Sequence, residues 1–204
     1  MTSGMYDKFK ADLRSKNQMN IYLAGPFFNR ESKDILYSIL GELEVSGHEV
    51  WSPMRDGITC PPDADREMRL KVFNLDCEQL HWAECIVALL DYPLPPHQQL
   101  LLRQKSPEGT SKDTPIFLPD PGTIFEIGYV SGLNSTRPSS ENYKYIVGYA
   151  ICSGFNLMVA EACDCIVNDL RKLERVMELV AQQDSDGLML LKIQYQKKTQ
   201  LKEL

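Results

Sequence analysis

The 204-residue sequence carries none of the glycine-rich signatures of a nucleotide cofactor. Its first strand exit, Ala24-Gly-Pro-Phe-Phe28, has neither the spaced glycines of a dinucleotide fingerprint nor a Walker lysine, which disfavours a dehydrogenase or an NTPase. A G-x-S-x-G elbow is absent too, and with it the usual Ser-His-Asp hydrolase. There is no Lys/Arg cluster, and the net charge is −6, so binding to nucleic acid through its phosphates is not expected. The apolar runs are all far shorter than a membrane span, and the first residues lack the order of a signal peptide, which leaves a cytoplasmic protein as the expectation. Cysteine is thinly spread: six residues, without Cys-x-x-Cys spacing, read as mostly buried reduced thiols. Cys163-Asp-Cys165 could hold a metal in principle, but His48, His81 and His97 stand at no ligand spacing from it, and no metal is expected.

What is present is an alternation of buried strands and amphipathic helices. Asn20–Gly25 reads as a buried strand stopped by Gly25-Pro26, and Ser32–Ser46 as a helix with Ile35, Leu36, Ile39, Leu40 and Leu43 on one face, closed by Gly47. His48–Pro53 reads as a second strand, and a long helical pattern starts at Asp63 and includes Met68, Leu70, Val72, Phe73, Leu75 and Leu80. Cys85–Leu90 is an uninterrupted apolar run, the mark of a central strand buried on both faces. Tyr143–Tyr149 and Asp164–Val167 supply a fourth and a fifth strand, and Asn168 is expected to cap a helix bearing Leu170, Leu173, Val176, Met177, Leu179 and Val180. The fold class is therefore α/β, a doubly wound and mainly parallel sheet of about five strands flanked by helices, flavodoxin- or Rossmann-like. Residues 1–18 form an N-terminal arm with a possible short helix over Tyr6–Ser15, residues 19–183 the α/β domain, 92–118 an inserted loop with a helical turn at Gln98–Gln104, and 184–204 an unassigned C-terminal extension.

Chemistry concentrates in Pro119–Gly132, which opens like a helix with Asp120 as N-cap and Pro121 in its first turn. Glu126 is the odd member, a carboxylate with Gly122, Thr123, Tyr129 and Val130 one turn away and Ile124, Phe125 and Ile127 on the adjacent faces. Such a group must be exposed, paired, or lining a pocket, because an isolated buried charge is very costly. In doubly wound folds the ligand site lies beyond the carboxyl ends of the strands, a rim to which Gly25, Pro26, Phe27, Phe28, Pro53–Gly57 and Asp91 are delivered. Phe27 and Phe28 are then either core residues or a stacking platform for a planar base.

The ordered set Ile21-Tyr-Leu-Ala-Gly25 with Phe27-Phe28, Asn74-Leu-Asp76, Asp120-x-Gly-Thr-x-x-Glu126-x-Gly-Tyr129 and Phe155-Asn-Leu-Met158 resembles the nucleoside 2-deoxyribosyltransferases over about residues 19–182. Each piece alone is weakly specific, but the four in this order are much more so. The resemblance implies that Glu126 is a nucleophile that attacks C1′ of a 2′-deoxyribonucleoside and that Tyr22 orients it. It implies that Asp120 and Asp76 contact base and sugar, with Asp120 shuttling the base's proton. Asn156, with Met158 beside it, would bind the sugar's 5′ hydroxyl in a neighbouring subunit, which implies a homo-oligomer. Gly25, Phe27, Phe28 and Gly122 complete the substrate-binding set. Nucleosides and free nucleobases are the implied partners, nucleotide salvage the implied setting, and no cofactor is expected.

The residue types suit that reaction without the family. Breaking an N-glycosidic bond passes through an oxocarbenium-like state that a carboxylate stabilises and then traps, while a second acid protonates the leaving base. Asp120 and Glu126 lie about 9 Å apart along a helix axis, enough to serve opposite ends of a nucleoside. Plainer readings stand beside these: Asp120 as a simple N-cap, Asp76 as a solvated helix residue, and Asn156 as a turn residue. The tail to Leu204 and the long insertion after Asp91 depart from the family pattern. One rival activity is an N-glycosidase hydrolysing (deoxy)nucleoside 5′-monophosphates, for which Arg30, Ser32 and Arg55 are available but scattered. Another is a non-catalytic nucleotide-binding module on the same fold.

Overall fold

The computed structural model describes residues 18–94, 96–105, 117–136, 142–151 and 156–200, with the side chains of 96, 102–105 and 195–200 left aside. Residues 1–17 of the N-terminal arm, with the short helix expected over Tyr6–Ser15, and Cys152 and Phe155 lie outside the described residues. Seven strands occur among the described residues in chain order: β1 (Asn20–Ala24), β2 (Glu49–Trp51), β3 (Cys85–Leu89), β4 (Tyr92–Pro93), β5 (Phe117–Leu118), β6 (Tyr145–Tyr149) and β7 (Cys165–Val167). Five of them form one parallel sheet in the order β2-β1-β3-β6-β7. From β1 the chain steps out to β2, then returns past β1 to β3 and continues to the far edge. β1 and β3 therefore flank the switch point, the crevice where such sheets bind ligands.

Alternation along the strands sorts the core into two layers. Ile21, Leu23, Val87, Leu89 and Val147 face α1 (Arg30–Val45) and the amphipathic helix Leu170–Ala181, while Tyr22, Ala24, Ile86, Ala88 and Ile146 face the helices Arg66–Trp82 and Pro121–Ser135. Burying each such Ile or Leu stabilises the fold by about 1.5–3 kcal/mol. α1 starts where Oδ1 of Asn29 accepts from the Ser32 amide at 2.8 Å, and it ends before Gly47, whose φ of 94° is a left-handed turn open to glycine.

Several boundaries differ from the sequence expectation. Pro53 ends the second strand because it opens a short helix, α2 (Pro53–Asp56). Asp65, not Asp63, caps α3 (Arg66–Trp82), in which only Leu80 is fully buried, while Leu70 and Phe73 stay on the surface. In the insertion, the helical turn expected at Gln98–Gln104 lies within a longer helix, α4 (Pro96–Lys105), and the short strands β4 and β5 before and after it pair antiparallel, which the loop reading did not include. The helix caps of the site follow in α5 (Pro121–Ser135) and α6 (Leu157–Ala162).

The cap of α7 (Leu170–Ala181) is Asp169, whose Oδ1 accepts from the Lys172 amide at 2.9 Å; Asn168 instead accepts from the Lys172 ammonium at 2.6 Å. The C-terminal extension forms α8 (Ser185–Gln200), which buries Leu188 and lies against β7 and α7. No helix among the described residues is long and apolar enough to cross a membrane.

Candidate active site

Tyr22 sits third in β1, fully buried on the sheet face that α3 and α5 cover. Its partner in the neighbouring strand is Trp51, and the two rings lie 5.1 Å apart at 34°, so the phenol is held from the side. From that position its hydroxyl donates to Oε1 of Glu126 at 2.5 Å. Burial pushes the Tyr22 pKa far upward, with the Glu126 charge adding to it, so the phenol keeps its proton and remains a donor.

Glu126 reaches this bond because α5 buries Thr123, Ile127 and Val130 against the sheet and turns the intervening position towards the strand ends. Oε2 of Glu126 accepts no hydrogen bond among the described residues. Burial raises the Glu126 pKa to about 7; the Tyr22 hydrogen bond opposes the rise, and the charges of Asp76 and Asp120 add to it. Asp76, half-buried on α3, is itself pushed up to about 6 by burial. Three carboxyl groups from two helices thus share one electrostatic neighbourhood with a phenol from the central sheet.

Asp120 caps α5: Oδ2 accepts from the Thr123 amide at 2.8 Å and from the Thr123 hydroxyl at 2.9 Å. Both bonds fall on one oxygen, and Oδ1 carries none among the described residues, so the capping duty leaves half of the carboxylate available. Gly122 is exposed in the first helical turn, and a Cβ there would come within 3.0 Å of the same Oδ2. Gly25 permits close packing where β1 ends: a Cβ would meet Leu36 Cδ2 at 2.7 Å and Leu89 Cβ at 3.0 Å.

The two phenylalanines after it are not core. Phe27 is 36% and Phe28 68% exposed, their rings stacked 5.5 Å apart at 29°. The core reading of this pair fails because Pro26 is the last buried residue of the strand exit. Asn156 accepts from the Met158 amide at 2.9 Å and so caps α6, with Leu157 and Met158 71% and 76% exposed. No described hydrogen bond joins Asn156 or Met158 to the carboxylates of the same chain.

Trp51 and Cys77 are additions that the sequence reading missed. Trp51 was reachable by counting register, since parallel pairing sets it beside Tyr22. Cys77 follows Asp76 on α3, within the field of Glu126 and in hydrogen-bond reach of the Tyr129 hydroxyl, which also lies 2.9 Å from Nε2 of His81. Burial pushes the Cys77 thiol up, which keeps it protonated and a poor nucleophile. Among the described residues no His, Cys, Asp and Glu group could hold a metal ion.

Comparisons with known proteins bear on the fold and the family. No curated protein matches the chain. A 2-deoxyribosyltransferase from the psychrotolerant bacterium Bacillus psychrosaccharolyticus superposes with a TM-score of 0.54 at 24% identity, covering 76% of this chain and 89% of its own. A conserved protein from Enterococcus faecalis V583 superposes with a TM-score of 0.51 at 16% identity, covering 80% and 97%. Both share the fold. The family model for nucleoside 2-deoxyribosyltransferase matches residues 21–150, from β1 through β6 and past Glu126, and the chain belongs to that family.

Proposed function

We propose that this protein transfers the 2-deoxyribosyl group of a 2′-deoxyribonucleoside to another nucleobase through a covalent intermediate on Glu126. The observation that carries the reading is the state of that carboxylate: one oxygen held by Tyr22, the other without a hydrogen bond among the described residues, within the field of Asp76 and Asp120. Oε2 attacks C1′ as the N-glycosidic bond breaks, and the bond's electron pair leaves with the base, which takes a proton from the Asp120 or Asp76 carboxyl. A second base then attacks C1′, releases Glu126 and returns the proton. The Tyr22 hydroxyl holds the attacking carboxylate in line and takes up part of its charge before attack and after release. Phe27 and Phe28 offer an exposed stacked face to a planar base, and Gly122 leaves room beside the Asp120 carboxylate.

Asn156 and Met158 point out of their own subunit's surface, which supports a homo-oligomer in which they complete a neighbouring site. Two of the three groups available to a 5′-monophosphate are otherwise occupied, and the third, Arg30, is an exposed surface cation paired only loosely with Asp34 at 3.6 Å. Ser32 is fully buried beneath Asn29, and Arg55 is locked to Glu44, Asp56 and the Val50 carbonyl.

Incubation with a 2′-deoxyribonucleoside and a different free base tests the reading. Exchanged nucleoside is the expected product. Release of free base with free deoxyribose, or reaction of monophosphates only, would assign the protein to N-glycoside hydrolysis instead, and turnover of neither would overturn the enzyme reading.

A further inference from the structure

Asn156 and Met158 stand at the start of α6, and side chains from distant parts of the chain hold Ile151 and the end of that helix. Oδ1 of Asp91, buried at the exit of β3, accepts from the Ile151 amide at 2.7 Å. At the end of α6, the Lys192 ammonium of α8 donates to the Cys163 carbonyl at 2.8 Å and to the Glu161 carbonyl at 3.3 Å, and it pairs with the Glu161 carboxylate at 3.3 Å. Those carbonyls close the C-terminus of α6, where a helix leaves acceptors without intrahelical donors and where a cation is favoured. α6 spans only six residues, Leu157–Ala162; Val159, Ala160 and Ala162 pack half-buried against the core beside α5, while its first residues, Leu157 and Met158, are exposed. That end carries the Asn156 cap.

We infer that Lys192 is a positioning residue: from the C-terminal extension it clamps the C-terminal end of α6, so that Asn156 and Met158 at the other end of the same helix are presented at a set angle to the sugar-binding site they complete. The extension, which lies outside the stretch matched by the family model, thereby acquires a function. The aliphatic stem of Lys192 is mostly covered and only its end bonds, so methionine keeps the packing and removes the clamp, while arginine keeps a cation and its donors. The kinetic part of this inference rests on the deoxyribosyl-transfer reading; the clamp itself does not.

Two measurements separate the two. Amide hydrogen exchange reads the clamp directly: in Lys192→Met the Ala160 and Cys163 amides, bonded to Asn156 and Val159, should exchange roughly tenfold faster than in the wild type, with Ile86 and Val87 in β3 unchanged. In base exchange, the same variant should raise KM for the donor nucleoside roughly tenfold while kcat stays within about twofold, and Lys192→Arg should restore KM. Exchange rates at α6 equal to the wild type would overturn the clamp. Faster exchange at α6 with KM unchanged would overturn its role in presenting Asn156 and Met158. A wild-type protein that exchanges no base defeats the transfer reading alone, and the amide rates still decide the clamp. A general loss of protection reaching β3 would show that Lys192 serves only the fold, which also overturns the inference.

Discussion

The hydroxyl of Tyr22 donates to Oε1 of Glu126 across 2.5 Å although 104 residues separate them, and this bond opposes the burial that raises the Glu126 pKa. Removing it in Tyr22→Phe keeps the ring against Trp51. It takes away the one hydrogen bond that favours the carboxylate, so the Glu126 pKa should climb above about 7. The acid limb of the pH profile of kcat/KM moves to higher pH, and kcat near neutrality falls roughly 10- to 100-fold. A profile that stays in place would show that the phenol does not tune Glu126.

Asp76→Asn should move the same limb the other way. The Asp76 charge raises the Glu126 pKa and is present above its own value of about 6, so a neutral amide lets Glu126 ionise at lower pH. Opposite displacements in Tyr22→Phe and Asp76→Asn, read from the two pH profiles, are the expected pair of results.

Glu126→Gln should lose transfer while gaining stability. The folded-state pKa of Glu126 lies at about 7, above its ordinary 4.5, so its contribution to stability is fully present below 4.5 and is lost as pH rises through about 7. Glutamine cannot ionise, and the variant should be more stable than the wild type by of order 2 kcal/mol at about pH 8 and equal to it near pH 4. Urea titrations at the two pH values give the comparison.

Gly25→Ala places a methyl group into Leu36 and Leu89, the second contact being a Cβ that cannot rotate away. A loss of about 1–3 kcal/mol is expected from such overpacking. Thermal unfolding measures it.

Phe28→Ala should leave thermal stability nearly unchanged, because the ring is 68% exposed. It should raise KM for the base or nucleoside several-fold, as loss of a stacking face does. A large drop in melting temperature with KM intact would return Phe28 to a structural role.

The sequence by itself determined the alternation of strands and helices, the parallel sheet and the helix entrance that carries Glu126. These follow from periodicity and caps, which are properties of residues within a few positions of one another. Cys85–Leu90 was legible as a central strand because both of its faces had to be apolar. Asp120 was legible as a cap for the same local reason. The acidic and phenolic residues of the candidate site could be named by motif order, but not their protonation.

Tertiary structure alone decided the rest. It brought Trp51 against Tyr22, exposed Phe27 and Phe28, left Leu70 and Phe73 of α3 on the surface and laid α8 against β7. It also raised Glu126 to about 7, a value that sums burial with charges from α3 and the α5 cap and a hydrogen bond from β1. No window of neighbouring residues contains all of those groups, because a carboxylate's pKa is set by everything within a few ångströms of it, wherever in the chain that comes from.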